Sequence, residues 1–63
     1  MQNKRQEQLL AILSERGDWM TSLQLAGLLQ VSDRTIRSDV GAINKRMDPP
    51  PIESNVRQGY RLC

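Results

Sequence analysis

The sequence contains no histidine, and its single cysteine is Cys63. Without histidine and with one thiol, a chain of 63 residues can build neither a zinc site nor an internal disulfide, so packing alone must hold the fold. The same absences exclude histidine-based acid–base catalysis and cysteine–histidine nucleophiles, and the carboxylates are scattered singly among basic residues. We therefore expect a protein that is not an enzyme and that needs no cofactor.

Long apolar runs are also missing. No stretch approaches the roughly 20 apolar residues of a transmembrane helix, and the polar opening at residues 1–5 lacks the apolar run of a signal peptide. We therefore expect a cytoplasmic protein.

Phenylalanine is absent, and Trp19 and Tyr60 are the only aromatic residues, which leaves few of the large anchors that protein–protein interfaces use.

The chain has the size of one small domain and a formal net charge of +2. Residues 1–31 carry three basic and three acidic side chains, whereas residues 32–63 carry six basic and four acidic ones. The positive excess therefore lies in the second half of the chain.

Residues 32–47 show the strongest helical pattern in the chain. Their apolar residues recur at spacings of four, three and four, which places them in one buried stripe of a helix with 3.6 residues per turn: Ile36, Val40, Ile43 and Met47. Ser32 suits the N-cap, and Asp33 suits the positive end of the helix dipole. The opposite face carries charged or hydroxyl side chains that can bond to phosphates or base edges: Arg34, Thr35, Arg37, Ser38 and Lys45.

Two earlier helices are predicted. Leucine and isoleucine among polar residues favour an amphipathic helix from Lys4 to about Arg16, which ends at Gly17. Thr21, followed three residues later by Gln24, is a capping box for a second helix at about residues 22–29.

The second and third helices are separated by Gln30 and Val31 alone, and so short a connection is typical of a helix-turn-helix. A left-handed Gln30 would store on the order of 1 kcal/mol of strain. The small side chain of Ala26 lets the two helices approach closely. Gly27 and Gly41 each weaken helix propensity by about 1 kcal/mol, and we expect close packing to explain them.

The last part of the chain predicts a β-hairpin. Prolines 49–51 stop the third helix and form a stiff connector. Period-two alternation on both sides of a loop at residues 55–59 predicts a hairpin over residues 52–62, in which Gly59 can adopt a positive φ. Residues 19–20 are a candidate third strand. The apolar side chains expected to face the helices are Ile52, Tyr60 and Leu62.

Nearly the whole chain resembles the winged helix-turn-helix DNA-binding domains of bacterial regulators of the DeoR, BglG-like and WYL-domain types, and more distantly that of the biotin repressor. The resemblance is carried by the Arg-Thr-Ile-Arg-x-Asp run at residues 34–39 together with the Gly-Tyr-Arg-Leu run at residues 59–62. It implies a mainly α fold with a small β-hairpin, in which three helices are followed by the wing. The wing tip, at residues 55–58, departs from the glycine-rich family pattern.

The resemblance also implies the function. It predicts sequence-specific binding of double-stranded DNA by a transcriptional regulator, with the helix at about residues 32–47 in the major groove. The wing at residues 52–62 would lie on the flanking backbone or minor groove. The DNA-contacting residues would be Ser22, Arg34, Thr35, Arg37, Ser38, Lys45 and Arg57.

The regulators that the chain resembles usually carry a C-terminal domain that dimerises and binds a small-molecule effector. Residues 1–63 are therefore expected to be the N-terminal DNA-binding part of a longer, homodimeric regulator. Two other functions stay open: a winged-helix module for protein contacts, and an RNA-binding antiterminator domain.

Overall fold

The computed structural model describes residues 3–63, which form three helices and a two-stranded antiparallel hairpin. The elements are α1 (Lys4–Arg16), α2 (Ser22–Leu29), α3 (Asp33–Arg46), β1 (Ile52–Asn55) and β2 (Gly59–Leu62). In the hairpin, Ile52 lies opposite Leu62 and Asn55 lies opposite Gly59. This confirms the predicted winged helix-turn-helix architecture. None of these three helices is long and apolar enough to cross a membrane.

Each helix begins after a residue whose side chain caps it. Asn3 caps α1, and the Ser32 hydroxyl accepts a hydrogen bond from the Thr35 amide of α3 at 3.1 Å. At α2 the predicted capping box is complete: the Gln24 amide donates to Thr21 Oγ1 at 3.1 Å, and the Thr21 amide donates to Gln24 Oε1 at 2.9 Å. The caps satisfy amides that have no partner within the helix and so fix where each helix starts.

The first two helices end in left-handed residues. Gly17 has φ 68°, and Gln30 has φ 57° in the turn between α2 and α3. The Val31 amide donates to the Ala26 carbonyl at 3.0 Å, which closes this turn. Ala26 itself is buried. The tight connection is therefore as predicted, and Gln30 adopts the left-handed conformation in which a residue with a side chain stores strain.

One hydrophobic core lies between the helices and the hairpin. In α3, Ile36, Val40 and Ile43 are buried as predicted, but Met47 is 40% exposed. The assignment of Met47 to the core stripe was wrong, because α3 ends at Arg46 and Met47 has extended backbone angles (φ −109°, ψ 143°). The buried apolar residues are Leu9, Leu13, Met20, Leu25, Ala26, Ile36, Val40, Ile43 and Ile52.

The hairpin is tied to the segment that precedes α2. The Met20 amide donates to the Tyr60 carbonyl at 2.8 Å, and the Tyr60 amide donates to the Met20 carbonyl at 2.7 Å. Gly59 has φ 103°, and a Cβ at this position would overlap the Met20 carbonyl oxygen. The predicted third strand is thus a single bridge, which requires glycine next to it.

A polar network joins α1 to α3. Asp39 is buried on α3 and accepts two hydrogen bonds from the Arg5 guanidinium, the one from Nη2 at 3.0 Å. Gln6 also donates to Asp39 and accepts from Arg46 at 2.8 Å. The hydrogen bonds from Arg5 hold the pKa of Asp39 below its ordinary range, although burial opposes them. The network sets the position of α3 relative to α1.

The two glycines inside helices are not explained by close packing, contrary to expectation. A Cβ built on Gly27 or on Gly41 would meet nothing within 4 Å outside its own helical turn and neighbouring residues. Both residues are exposed.

Candidate nucleic-acid interface

The outward face of α3 is polar along its whole length. Arg34, Ser38, Gly41 and Lys45 are exposed and recur at spacings of four, three and four, which places them in one stripe opposite the buried stripe. Among residues 3–63, neither basic side chain has an ion-pair partner. Both charges are therefore available to an external anion.

Arg37 lies at the edge of this face, in an ion pair with Asp33 one turn earlier. Arg37 Nη2 is 2.9 Å from Asp33 Oδ2, and the Arg37 side chain is 68% exposed. An exposed pair at this helical spacing contributes only about 0.3–0.5 kcal/mol. The Arg37 guanidinium can therefore leave the Asp33 carboxylate and bind a phosphate with a small loss of free energy.

The two hydroxyl residues of α3 differ in their surroundings. Thr35 is half-buried, and its hydroxyl lies 2.9 Å from the Ser32 hydroxyl within the N-terminal cap. Ser38 is exposed on the outward stripe. Ser38 is therefore the better placed of the two to contact a ligand directly.

A cleft of about 370 Å³ opens between the start of α2, the side of α3 and the hairpin. It brings together three of the predicted site residues, one from each element: Ser22, Arg37 and Arg57. The other four predicted site residues lie on α3 and do not line the cleft: Arg34, Thr35, Ser38 and Lys45. The complete lining is Thr21, Ser22, Arg37, Ser54, Asn55, Val56, Arg57, Gly59 and Tyr60.

The hairpin tip is ordered by the side chain of Asn55. Its Oδ1 accepts hydrogen bonds from the amides of Arg57 at 2.8 Å and Gln58 at 3.0 Å. An Asn side chain that bonds to amides two and three residues later stabilises a turn, so this tip is ordered without a glycine-rich sequence. Val56 and Arg57 are both exposed there, so the tip presents an apolar and a cationic side chain to solvent.

Sequence reasoning missed six residues that line the cleft: Thr21, Ser54, Asn55, Val56, Gly59 and Tyr60. Ser54 lies opposite Tyr60 in the hairpin and shares the strand parity of Ile52, so the period-two pattern could have placed both on the inner face. Tyr60 was assigned to the core alone, whereas it is half-buried, packs on the core and also lines the cleft. Thr21 lies next to the Met20–Tyr60 bridge; residues 19–20 were predicted as a possible strand, but the sequence did not indicate that the residue after them lines a cleft.

The other basic residue of the hairpin, Arg61, faces away from the cleft. Its Nε lies 2.9 Å from Glu53 Oε1, and its guanidinium stacks over Trp19 at 4.5 Å from the ring centroid. Arg61 is thus engaged within the protein, and Arg57 is the basic residue through which the hairpin contributes to the cleft.

Comparison with known families agrees with this geometry. A family model described as an HTH domain matches residues 5–61, a range that includes α2, α3 and all but one residue each of α1 and the hairpin. Comparisons with curated proteins and with solved structures give no match. Since the match covers most of the chain, the protein belongs to the HTH domain family, and this membership indicates that it binds DNA.

Proposed function

We propose that the chain binds double-stranded DNA sequence-specifically as part of a bacterial transcriptional regulator. The observation that carries the proposal is the polar face of α3 adjoining a cleft in which Ser22, Arg37 and Arg57 meet. In this arrangement α3 enters the major groove with its N-terminal half foremost. Arg34, Arg37 and Ser38 then contact base edges or phosphates, and Lys45 contacts the backbone farther along.

The cleft is suited to the DNA backbone next to that groove. Ser22 lies in the first turn of α2, where free amides and the helix dipole favour an anion. The Arg37 and Arg57 guanidinium groups can add charge-assisted hydrogen bonds to phosphate oxygens. Arg57 extends the contact to the flanking backbone or minor groove, so phosphate contacts fix the position from which α3 reads the sequence.

The proposal includes the setting that the resemblance implies. A further C-terminal domain would hold two copies together and bind a small-molecule effector, and the protein would work in the cytoplasm, where a bacterial genome lies. An effector then regulates by changing how the two DNA-binding domains are held.

The test is Arg37→Ala, with Arg16→Ala as the matched control. Arg16 is an exposed arginine in the last turn of α1, so the control removes the same charge away from the site. The probe is a labelled duplex that the wild-type chain enriches from a random-sequence pool, and the affinity is measured over a series of salt concentrations. If Arg37 contacts phosphate, Arg37→Ala weakens binding and lowers the log–log salt slope by about one, whereas Arg16→Ala leaves the slope unchanged.

Two outcomes would contradict the proposal when a structured RNA is measured beside the duplex. A wild-type affinity for the duplex that does not respond to salt would contradict phosphate contacts, which are salt-dependent, and would favour the module for protein contacts. Tighter binding to a structured RNA than to any duplex DNA would indicate the antiterminator function, since A-form RNA presents a different groove.

A further inference from the structure

Gly41 lies in the middle of the exposed stripe of α3, between Ser38 on one side and Lys45 on the other. Apart from proline, glycine is the least favourable residue for a helix interior. In α3, the residue with the lowest helix propensity therefore lies at the centre of the outward face, between the charged side chains that the helix presents.

Within residues 3–63, neither backbone conformation nor packing explains this glycine. Its backbone is helical and is not in the positive-φ region that glycine favours. A Cβ built on it would meet nothing within 4 Å beyond its own turn in the part of the chain that the structure describes. An alanine would fit the free protein and would strengthen α3.

We infer that Gly41 is a contact position for the duplex, where the absent side chain lets DNA approach the backbone of α3. The inference rests on the proposed DNA-binding function and deepens it. Alanine would add a carbon about 1.5 Å beyond Cα, between Arg34 and Ser38 on one side and Lys45 on the other. A duplex held off by that methyl group would have its hydrogen bonds to both flanks lengthened, and hydrogen bonds weaken steeply with distance and misalignment.

The experiment separates stability from binding. Gly41→Ala, the bulkier Gly41→Gln and the wild-type chain are compared by thermal unfolding and by affinity for the duplex that the wild type enriches. We expect Gly41→Ala to melt higher by about 4–8 °C and to bind about tenfold more weakly, a loss of about 1.4 kcal/mol. Gly41→Gln is expected to stay folded and to bind more weakly still.

The matched control is Gly27→Ala. Gly27 is also exposed, helical and surrounded by open space, but it lies on the outer side of α2 beside Arg16 and Leu28, away from the cleft. Gly27→Ala should raise the melting temperature in the same way and leave DNA affinity unchanged.

The outcomes are distinguishable. If the wild type binds duplex DNA and Gly41→Ala binds it equally well or better, the inference is wrong and the proposed function stands. Equal losses in Gly41→Ala and Gly27→Ala would attribute the effect to helix rigidity and would also overturn it. If the wild type enriches no duplex at all, the proposed function fails first.

Discussion

At the scale of single residues, Ile43 defines which side of α3 belongs to the core. It is fully buried, so truncation removes apolar contacts and leaves a cavity. We expect Ile43→Ala to lower the free energy of unfolding by about 2–5 kcal/mol, a large share of what a small domain possesses. Urea unfolding measures this loss, and DNA binding should fall with the folded fraction.

Met47→Ala is the matched comparison for Ile43→Ala. Met47 belongs to the same sequence stripe but is 40% exposed, so its truncation should cost less than about 1 kcal/mol. Equal costs at the two positions would show that Met47 is packed as the sequence suggested and that the face assignment at the end of α3 is wrong.

These two residues show what periodicity can and cannot predict. The spacing of Ile36, Val40 and Ile43 predicts their burial because all three share one continuous helix. Met47 continues the spacing but not the helix, and the exact residue at which a helix ends is weakly encoded. The empty space around Gly41 was equally hidden, because a sequence does not show which neighbours a position lacks.

At the scale of elements, the pairing of α1 with α3 depends on Asp39. The hydrogen bonds from Arg5 lower the pKa of Asp39 in the folded protein, so the unfolded chain binds a proton more readily. Stability from this group is therefore fully present above the ordinary aspartate pKa of about 3.9 and is lost as the pH falls through the lower folded pKa.

We expect Asp39→Asn to destabilise the fold at neutral pH by about 1–3 kcal/mol, the usual cost of losing hydrogen bonds to a charged group. The variant should also lose stability less steeply than the wild type as the pH falls below the ordinary aspartate pKa of about 3.9, because the variant has no carboxylate at this position to protonate. Urea unfolding at several pH values measures both effects. Glu53→Gln is the control, because the Glu53–Arg61 pair is exposed and contributes little.

Identical acid dependence in the wild type and in Asp39→Asn would contradict this role. The burial of Asp39 could be predicted from the sequence. Asp39 lies three residues after Ile36 and four before Ile43, and this spacing places its side chain on the buried side of α3. Its partner Arg5 could not be identified, because nothing local relates residues so far apart.

Arg57, at the tip of the hairpin, is the subject of a further prediction about DNA binding. An arginine that projects from the tip is attracted to a minor groove, most strongly where an A·T-rich tract narrows it. Arg57→Ala should therefore weaken binding more on duplexes with A·T-rich flanks than on duplexes with G·C-rich flanks around the same core. Affinities for the two duplexes at equal salt measure the difference.

Arg61→Ala removes the same charge from the opposite face of the hairpin and should show no dependence on the flanks. Equal losses for Arg57→Ala on both flanks would indicate a plain phosphate contact, and no loss would remove Arg57 from the interface.

The period-two pattern predicted the strands that present Arg57. The turn built on Asn55 was not predicted, because several loop conformations suit five residues.

At the scale of the whole molecule, size limits how much DNA one copy can read. The described chain measures 24 × 21 × 20 Å, less than the roughly 34 Å of one helical turn of DNA. In the proposed function, one copy covers one half-site and a second copy binds about one turn away. We expect the preferred sites to be inverted or direct repeats and a single half-site to be bound weakly.

The arrangement of sites is tested by titrating three duplexes. One carries a single motif, one carries two motifs in phase with the helical repeat, and one carries two motifs half a turn out of phase. Two linked copies should gain affinity only on the in-phase duplex, because the second contact then becomes intramolecular. Tight one-to-one binding to a single half-site at physiological salt would contradict the two-copy arrangement.

The bridge between Met20 and Tyr60 has a consequence for the order in which the protein folds. The helices and the turn at Gln30 form between neighbours in the chain, whereas the bridge must close a loop from residue 20 to residue 60. Closing a long loop costs entropy before its contacts compensate. We therefore expect the outward face of α3 to form early and the cleft between α2, α3 and the hairpin to form last, when the hairpin reaches Met20.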